Sequence, residues 1–421
     1  MKSFIRFHVI LPLLIFVALS ACKKNNPNSP AKTNQCAGPE ILSENVLPDY
    51  LLNTDGSLSS TDAITGDTYG NVYIVNATGP FTSGANPIAG LSPGYLKKFN
   101  EKGELLYSKA ITTSYSVSIG VDSLQEVYSG YFTIANPWNC IVNTIKYNNS
   151  GDTIWSKHIY YDSDALFDCL NVESDGTVYV ASEAYSHPLD VVYDDPTVQG
   201  ESGSGYMMYK FGPDGNLMKV KQMQSAAIGK HAYRFFPSGS FYNLNYGFNT
   251  TASPEITQYD KNFNTISVND KIVASDILNV IFDNQSNPFV VDSTSITRVD
   301  VNNNTLWKIN TQPYKSITTD AAGNLYISGI FNGRVNFGTG STAKYLQANG
   351  KNDSFIEKFD PNGKMLWVVQ SLGTDGKTYT GASQIDQFIV TAKNELFITG
   401  TALNAKTNTN IHFAALYTQC N

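Results

Sequence analysis

Apolar and polar residues alternate in short runs along most of this chain. Phe355-Ile356-Glu357-Lys358-Phe359 is one such run, followed by Asp360-Pro361-Asn362-Gly363 and then Met365-Leu366-Trp367. The period of two predicts strands, and the break between them predicts a tight hairpin turn. Pro361 presets φ at the second turn position, and Gly363 can take φ > 0. Helix-forming runs of Ala, Leu, Glu and Lys are scarce, so the pattern points to an all-β protein.

Two short patterns recur. The first is an acidic residue or its stand-in, then a Gly-Asn-x-Tyr-like turn and strand. It occurs at Asp67 to Tyr73, Asp122 to Tyr128, Glu173 to Tyr179, Gly239 to Tyr242, Asp283 to Phe289, Asp320 to Tyr326 and Asn394 to Phe397, about 54 residues apart on average. The second places a strand end, a turn residue and a large side chain four residues apart: Phe99, Gly103, Tyr107; Tyr147, Gly151, Trp155; Val299, Asn303, Trp307; Phe359, Gly363, Trp367. Phe211 with Gly215 and Tyr259 with Phe263 keep its first half. Three of the four tryptophans share this one slot.

Each unit reads as four strands. In the sixth these are Ser316 to Thr319, Leu325 to Ser328, Phe355 to Phe359 and Lys364 to Val369. Repeats are the first thing to establish in a chain of 421 residues, because they decide the fold. About seven units of four antiparallel strands predict a β-propeller, over residues 36–421. The last unit ends without a fourth strand after Ile411 to Tyr417, and the unassigned Ile41 to Leu52 can supply it. That closure predicts a disulfide between Cys36 and Cys420. Cys140 and Cys169 form a candidate second pair, although four cysteines allow three pairings.

The N-terminus changes the picture of where the protein resides. Lys2 and Arg6 precede an apolar run from Val9 to Leu19 and small residues, the three parts of an export signal over residues 1–21. The run is too short to cross a bilayer, which takes about 20 apolar residues. Leu19-Ser20-Ala21-Cys22 resembles the bacterial lipobox, which implies a diacylglycerol on Cys22 and a membrane partner through that anchor. Residues 22–35, polar and Pro-containing, read as a flexible tether. Lipoproteins retained in the inner membrane tend to carry Asp after the Cys; Lys23 stands here, which by that resemblance implies the outer membrane of a Gram-negative bacterium.

The repeat also resembles the short bacterial β-propeller repeat proteins, whose consensus runs Asp-x-x-Gly-Asn-x-Tyr-x-x-Gly, a loop, an aromatic strand with Lys, and Asn-Gly-x-x-x-Trp. Asp320 to Trp367 matches best, through Gly323-Asn324-Leu325-Tyr326-Ile327-Ser328-Gly329 and Asp353-Ser354-Phe355-Ile356-Glu357-Lys358-Phe359. The likeness covers roughly residues 60 to 417 and is eroded in the fourth and fifth units. It implies the fold and an extracytoplasmic setting, with no shared catalytic residues.

Candidate chemistry is sparse. A net charge of −7 without clustered Lys or Arg argues against a nucleic-acid partner. His158, His187, His231 and His412 fall in different units at no metal-ligand spacing and read as isolated surface or loop residues, so no metal or cofactor is expected. Acidic turns such as Asp175-Gly176, Asp214-Gly215 and Asp360 could hold calcium, but Asp also favours turns for its own backbone hydrogen bonds. The Gly-x-x-x-Trp rhythm resembles the docking repeat of quinoprotein dehydrogenases, where the Trp is structural. No nucleophile elbow or phosphate loop is present, and no catalytic residue is assigned. The favoured reading is a monomeric binding or scaffold module for a glycan, peptide or partner protein; the rival is an envelope enzyme acting on a saccharide with loop carboxylates.

Alternation in the blades puts the tight, repeated turns on one face and loops of very unequal length on the other, where specificity usually resides. The candidate ligand groups there are Tyr185, His187, Asp190, Tyr193, Asp194 and Asp195 in the third unit, and Asn332, Arg334 and Tyr345 in the sixth. Aromatic rings stack on apolar faces of sugars or peptides, while carboxylates and amides fix hydroxyls. Replacing Cys22 with Ser is expected to move the protein from salt-washed membranes to the soluble fraction; retention on the membrane would exclude lipid as the anchor.

Overall fold

The computed structural model describes residues 39–46, 62–77, 92–113, 117–136, 139–161, 165–184, 205–223, 229–235, 239–247, 255–269, 279–283, 287–292, 294–300, 304–338, 343–348, 352–370, 384–404 and 409–419. The first strand, β1 (Glu40–Val46), stands apart from the regular series. Blade 1 follows with β2 (Asp62–Gly66), β3 (Val72–Ala77), β4 (Ser92–Phe99) and β5 (Leu105–Thr113), and blade 2 with β6 (Val117–Val121), β7 (Val127–Asn136), β8 (Asn139–Tyr147) and β9 (Thr153–Tyr161). Blade 3 holds β10 (Ala165–Val172), β11 (Val178–Ala184), β12 (Gly205–Phe211) and β13 (Leu217–Met223), and blade 4 holds β14 (Gly229–Phe235), β15 (Phe241–Gly247), β16 (Glu255–Tyr259) and β17 (Thr265–Asn269). Blade 5 has β18 (Asn279–Phe282), β19 (Pro288–Val291), β20 (Ser295–Val299) and β21 (Thr305–Asn310). Blade 6 has β22 (Tyr314–Thr319), β23 (Leu325–Phe331), β26 (Asp353–Phe359) and β27 (Met365–Gln370), with an inserted hairpin of β24 (Arg334–Phe337) and β25 (Lys344–Gln347). Blade 7 is β28 (Gln384–Val390), β29 (Leu396–Asn404) and β30 (Thr409–Thr418), completed by β1.

Every blade is an antiparallel four-stranded sheet, and the first strands touch in the cycle β2, β6, β10, β14, β18, β22, β28 and back to β2. They are therefore innermost, and seven blades close the ring. The closure expected from the sequence is observed: β1 pairs with β30, Glu40 opposite Thr418 and Val46 opposite Phe413. A strand from one end of the chain thus finishes the blade built by the other end. The fourth and fifth units, where the repeat is eroded, still form complete blades.

Within a blade the recurring acid, tyrosine and lysine form one network. Asp67 Oδ1 accepts from the Tyr69 and Asn71 amides, and Tyr73 Oη donates to Oδ2 at 3.1 Å. Tyr128 meets Asp122 at 2.9 Å, Tyr179 meets Glu173 at 2.7 Å and Tyr326 meets Asp320 at 2.9 Å in the same way. Lys98, Lys146, Lys210 and Lys358 lie over these four rings at about 5 Å, a cation–π distance. In blade 5 the ring is Phe289, which has no hydroxyl; Arg298 lies over it and reaches Asp283 itself at 2.5 Å. The acid of the turn is thus engaged within its own blade.

Packing between blades uses the second pattern. Trp155 Nε1 donates to the Pro213 carbonyl at 3.1 Å, and Trp307 Nε1 to that of Pro361 at 3.0 Å, each in the turn of the next blade. A Cβ added at Gly215 would stand 3.0 Å from Trp155, and one at Gly363 2.8 Å from Trp307, so glycine is required for approach as well as for its positive φ. In blade 4 Phe263 takes that turn position at φ 65°, held by full burial against Tyr179 and Phe241. Lys219 fills the tryptophan slot facing it and donates to the Asn262 carbonyl at 2.5 Å. The core is accordingly a set of apolar layers between blades, such as Val72, Ile74 and Phe99 against Phe397, Ala414 and Leu416 where the ring closes.

Two cysteine expectations fare differently. Cys140 and Cys169 are thiols, not a bridge. The reason is geometric: Cys140 packs between blades 2 and 3, whereas Cys169 points to the opposite face of blade 3, against the layer shared with blade 4. Cys36 and Cys420 lie outside the described residues, flanking a β1 and β30 that do pair. Non-reducing peptide mapping is expected to find these two joined, and reduction to lower stability by up to about 5 kcal/mol; a mapped Cys36 thiol would refute the link.

Candidate functional site

The two sides of the ring differ as the sequence indicates. Connections from first to second and third to fourth strands are tight turns such as Asp67 to Asn71 and Asp360 to Lys364, each closed by the acid accepting two backbone N–H groups. The opposite side carries the second-to-third connections. Of the candidate residues there, Tyr185, His187, Asp190, Tyr193, Asp194 and Asp195 lie outside the described residues. Asn332, Arg334 and Tyr345 are described, and they stand on one element.

That element is the hairpin of β24 and β25, which the sequence shows only as a long connection. It is anchored by alternation. Phe337 and Leu346 turn inward to the apolar layer between blades 5 and 6, with Phe337 against Phe331 and Phe355. The intervening Arg334, Asn336, Tyr345 and Gln347 are exposed, with Arg334 opposite Gln347 and Asn336 opposite Tyr345. The Arg334 guanidinium sits 4.4 Å from the Tyr345 ring centroid, so the two hold each other flat. Asn332, exposed, and Gly333 at φ 59° turn the chain into the hairpin. The result is a two-stranded platform of one aromatic ring, one guanidinium and two amides on a rigid base, chemistry suited to sugar hydroxyls or peptide backbone.

A second group was not visible in the sequence. β10 has a bulge at Asp168, and the innermost strands β22 and β28 have bulges at Lys315 and Asp386. Bulges of this kind re-aim a side chain. Asp168 keeps an accessible surface, yet protein encloses it on enough sides that desolvation, with Glu183 adding to it, pushes its carboxyl up to about 7. Tyr233 on β14 feels the Asp168 charge, so blades 3 and 4 share this cluster. Position, and no motif, makes it: Asp168 and Glu183 are fifteen residues apart and meet only because β10 pairs with β11. His412, expected among isolated surface or loop histidines, is instead buried on β30, with Nε2 3.6 Å from Asp386 Oδ2. Strand alternation turns it inward toward blade 1. His158 is tied on β9 to Asn143 and Ser156, each at 2.8 Å.

These features define a seven-bladed β-propeller with a uniform turn face and a differentiated loop face. No family model matches the chain, and no curated protein matches it. Among solved structures, BBS1N in complex with ARL6DN is similar at TM-score 0.50 and 7% identity, over 92% of this chain and 98% of that one. A protein of unknown function from Bacteroides caccae is similar at TM-score 0.39 and 11% identity, over 66% and 90%. An inactivated virginiamycin B lyase from Staphylococcus aureus, solved with quinupristin, is similar at TM-score 0.45 and 10% identity, over 89% and 100%. At such identities the likeness speaks for the fold alone.

Glu357 is another acid with a shifted carboxyl, and this one is buried. It lies on β26 between Ile327 and Val368, and burial pushes its carboxyl up to about 8. The fold thus favours its protonated form: its contribution is intact below the unfolded carboxyl range and is lost as pH rises toward 8. Glu357→Gln, neutral throughout, is expected to match the wild type near pH 4.5. By pH 8.5 it should be more stable by at most about 5 kcal/mol. Urea unfolding of both proteins at the two pH values checks this, and a gap that does not widen with pH would contradict it.

Proposed function

We propose that this chain is a lipid-anchored envelope protein, of the short β-propeller repeat kind, whose loop face binds a glycan, peptide or partner protein. The exposed Arg334–Tyr345 platform carries the reading, because among the described residues of the loop face it is a polar and aromatic surface whose geometry the scaffold fixes from below. The export signal, the Cys22 lipobox and Lys23 support an outer-membrane location. Binding would need little rearrangement, since the hairpin is held from below by Phe337 and Leu346.

One observation favours an enzymatic second reading. A carboxyl raised to about 7 beside another acid is what a general acid for glycosidic cleavage requires at neutral pH. In that case Asp168 would donate the proton and Glu183 would act as base or nucleophile.

One panel of glycans and peptides, scored for both retention and cleavage, separates the two. For a retained ligand, Tyr345→Ala or Arg334→Ala is expected to weaken binding about tenfold or more, and Asn362→Ala on the turn face to change it less than about twofold. The opposite ranking would move the site to the turn face. Cleavage abolished by Asp168→Asn with binding kept would establish the enzyme; retention without cleavage would leave the binding module.

A further inference from the structure

The outer strand of each blade begins with a repeated feature that neither turn chemistry nor core packing uses. Its second residue is a large apolar side chain in six successive blades: Leu106, Ile154, Met218, Ile266, Leu306 and Leu366. All are exposed, between 44% and 60%. Tyr107, Trp155 and Trp307 turn toward the next blade, whereas each of these six is the bulged, unpaired residue just before that position, re-aimed out of the regular alternation and left exposed. Because they hold the same place in blades arranged around a common axis, they lie at one height, one step from the turn face. Tyr69 and Leu124, in the first-to-second turns of blades 1 and 2, are exposed at that same end. Leu42, third in β1, extends the series into blade 7.

The direction of β1 adds an independent fact. Its first residue, Glu40, pairs with Thr418, the last residue of β30. Third strands end at the turn face, so the chain that precedes Glu40 leaves from that face. Seventeen residues lie between Cys22 and Glu40. A random coil of that length would reach about 23 Å on average and about 60 Å when fully stretched. The ten residues of β30 alone rise about 33 Å. Setting the loop face on the bilayer would require the tether to cover the thickness of the ring, well beyond its average reach, whereas the turn face needs no such extension.

We propose that the turn face rests on the lipid bilayer, with the ring of aliphatic side chains at its rim touching the acyl boundary and the loop face directed away from the membrane. The proposal rests on the Cys22 anchor. Isolated apolar side chains on a surface are ordinary; a coplanar series at the face from which a lipid tether emerges is a contact surface for lipid. The turn acids Asp67, Asp122, Asp320 and Asp360 are engaged by their own turns, and the exposed Glu101 and Asp152 are paired with Lys393 and Lys109, so the apolar ring supplies the lipid contact without a call for anionic headgroups.

The test uses the full lipidated protein in neutral phosphatidylcholine vesicles carrying a photoactivatable diazirine on the acyl chain. Cross-linked peptides are mapped after flotation. Adducts are expected on the peptides holding Leu106, Ile154, Met218, Ile266, Leu306 and Leu366, and not on residues 334–347. A variant with Leu106, Ile154, Leu306 and Leu366 all changed to Ser is expected to float equally well through Cys22 while its adduct yield falls about fivefold. Floating protein with adducts on the loop face, or with none on the propeller, would overturn the orientation and leave the anchor standing. Protein that does not float would overturn both. The wild-type map decides without reliance on the variant.

Discussion

A single blade can bury neither of its faces, and the contact that joins it to the next is what the rest of the molecule depends on. That contact is an aromatic side chain on an outer strand laid against the glycine of the neighbouring turn, its ring nitrogen donating to a carbonyl there, as Trp155 does to Pro213 and Trp307 to Pro361. It explains why the turn residue and the large side chain recur at fixed spacing. The glycine serves the preceding blade's ring, while the ring serves the following blade's turn. Where the pair changes, both partners change: Phe263 replaces the glycine and Lys219 faces it.

Because each interface is a local exchange between neighbours, the ring has one place where the two chain ends must meet. β1 against β30 is that place, and the layer of Val72, Ile74 and Phe99 against Phe397, Ala414 and Leu416 ties blade 1 to blade 7 beside it. Closure in this form removes two free ends at once. Stability of a repeat array is approximately the sum of its units and their interfaces, so a closed ring gains one interface more than an open one of the same length.

Much of this was legible in the sequence, for identifiable reasons. Turn chemistry is local, so Asp320 to Tyr326 and Asp360 to Trp367 announce hairpins by themselves, and repetition multiplies the signal. The missing fourth strand of the last unit pointed to Ile41 onward for the same reason. Other features depend on which side of a sheet a residue faces after a bulge, and no short pattern encodes that. Asp168 and Glu183 meet through pairing of β10 with β11, His412 turns inward beside Asp386, and Cys140 and Cys169 are kept apart by the thickness of blade 3. The β24–β25 platform was legible as a loop with suitable residues, but its flat geometry comes from Phe337 and Leu346 sinking into a layer supplied largely by blade 5 and blade 6 strands.

The same economy separates structure from function across the molecule. Acids of the turn face are consumed by backbone amides, tyrosine hydroxyls or lysines, and so are held in place by the fold. On the loop face the polar groups Arg334, Asn336, Tyr345 and Gln347 stand out of the fold on a hairpin fixed from beneath by Phe337 and Leu346. A polar surface whose geometry is already fixed loses little ordering when something binds it. The enclosed Asp168 differs in kind. Desolvation and the neighbouring Glu183 push its carboxyl up to about 7, the range a general acid uses.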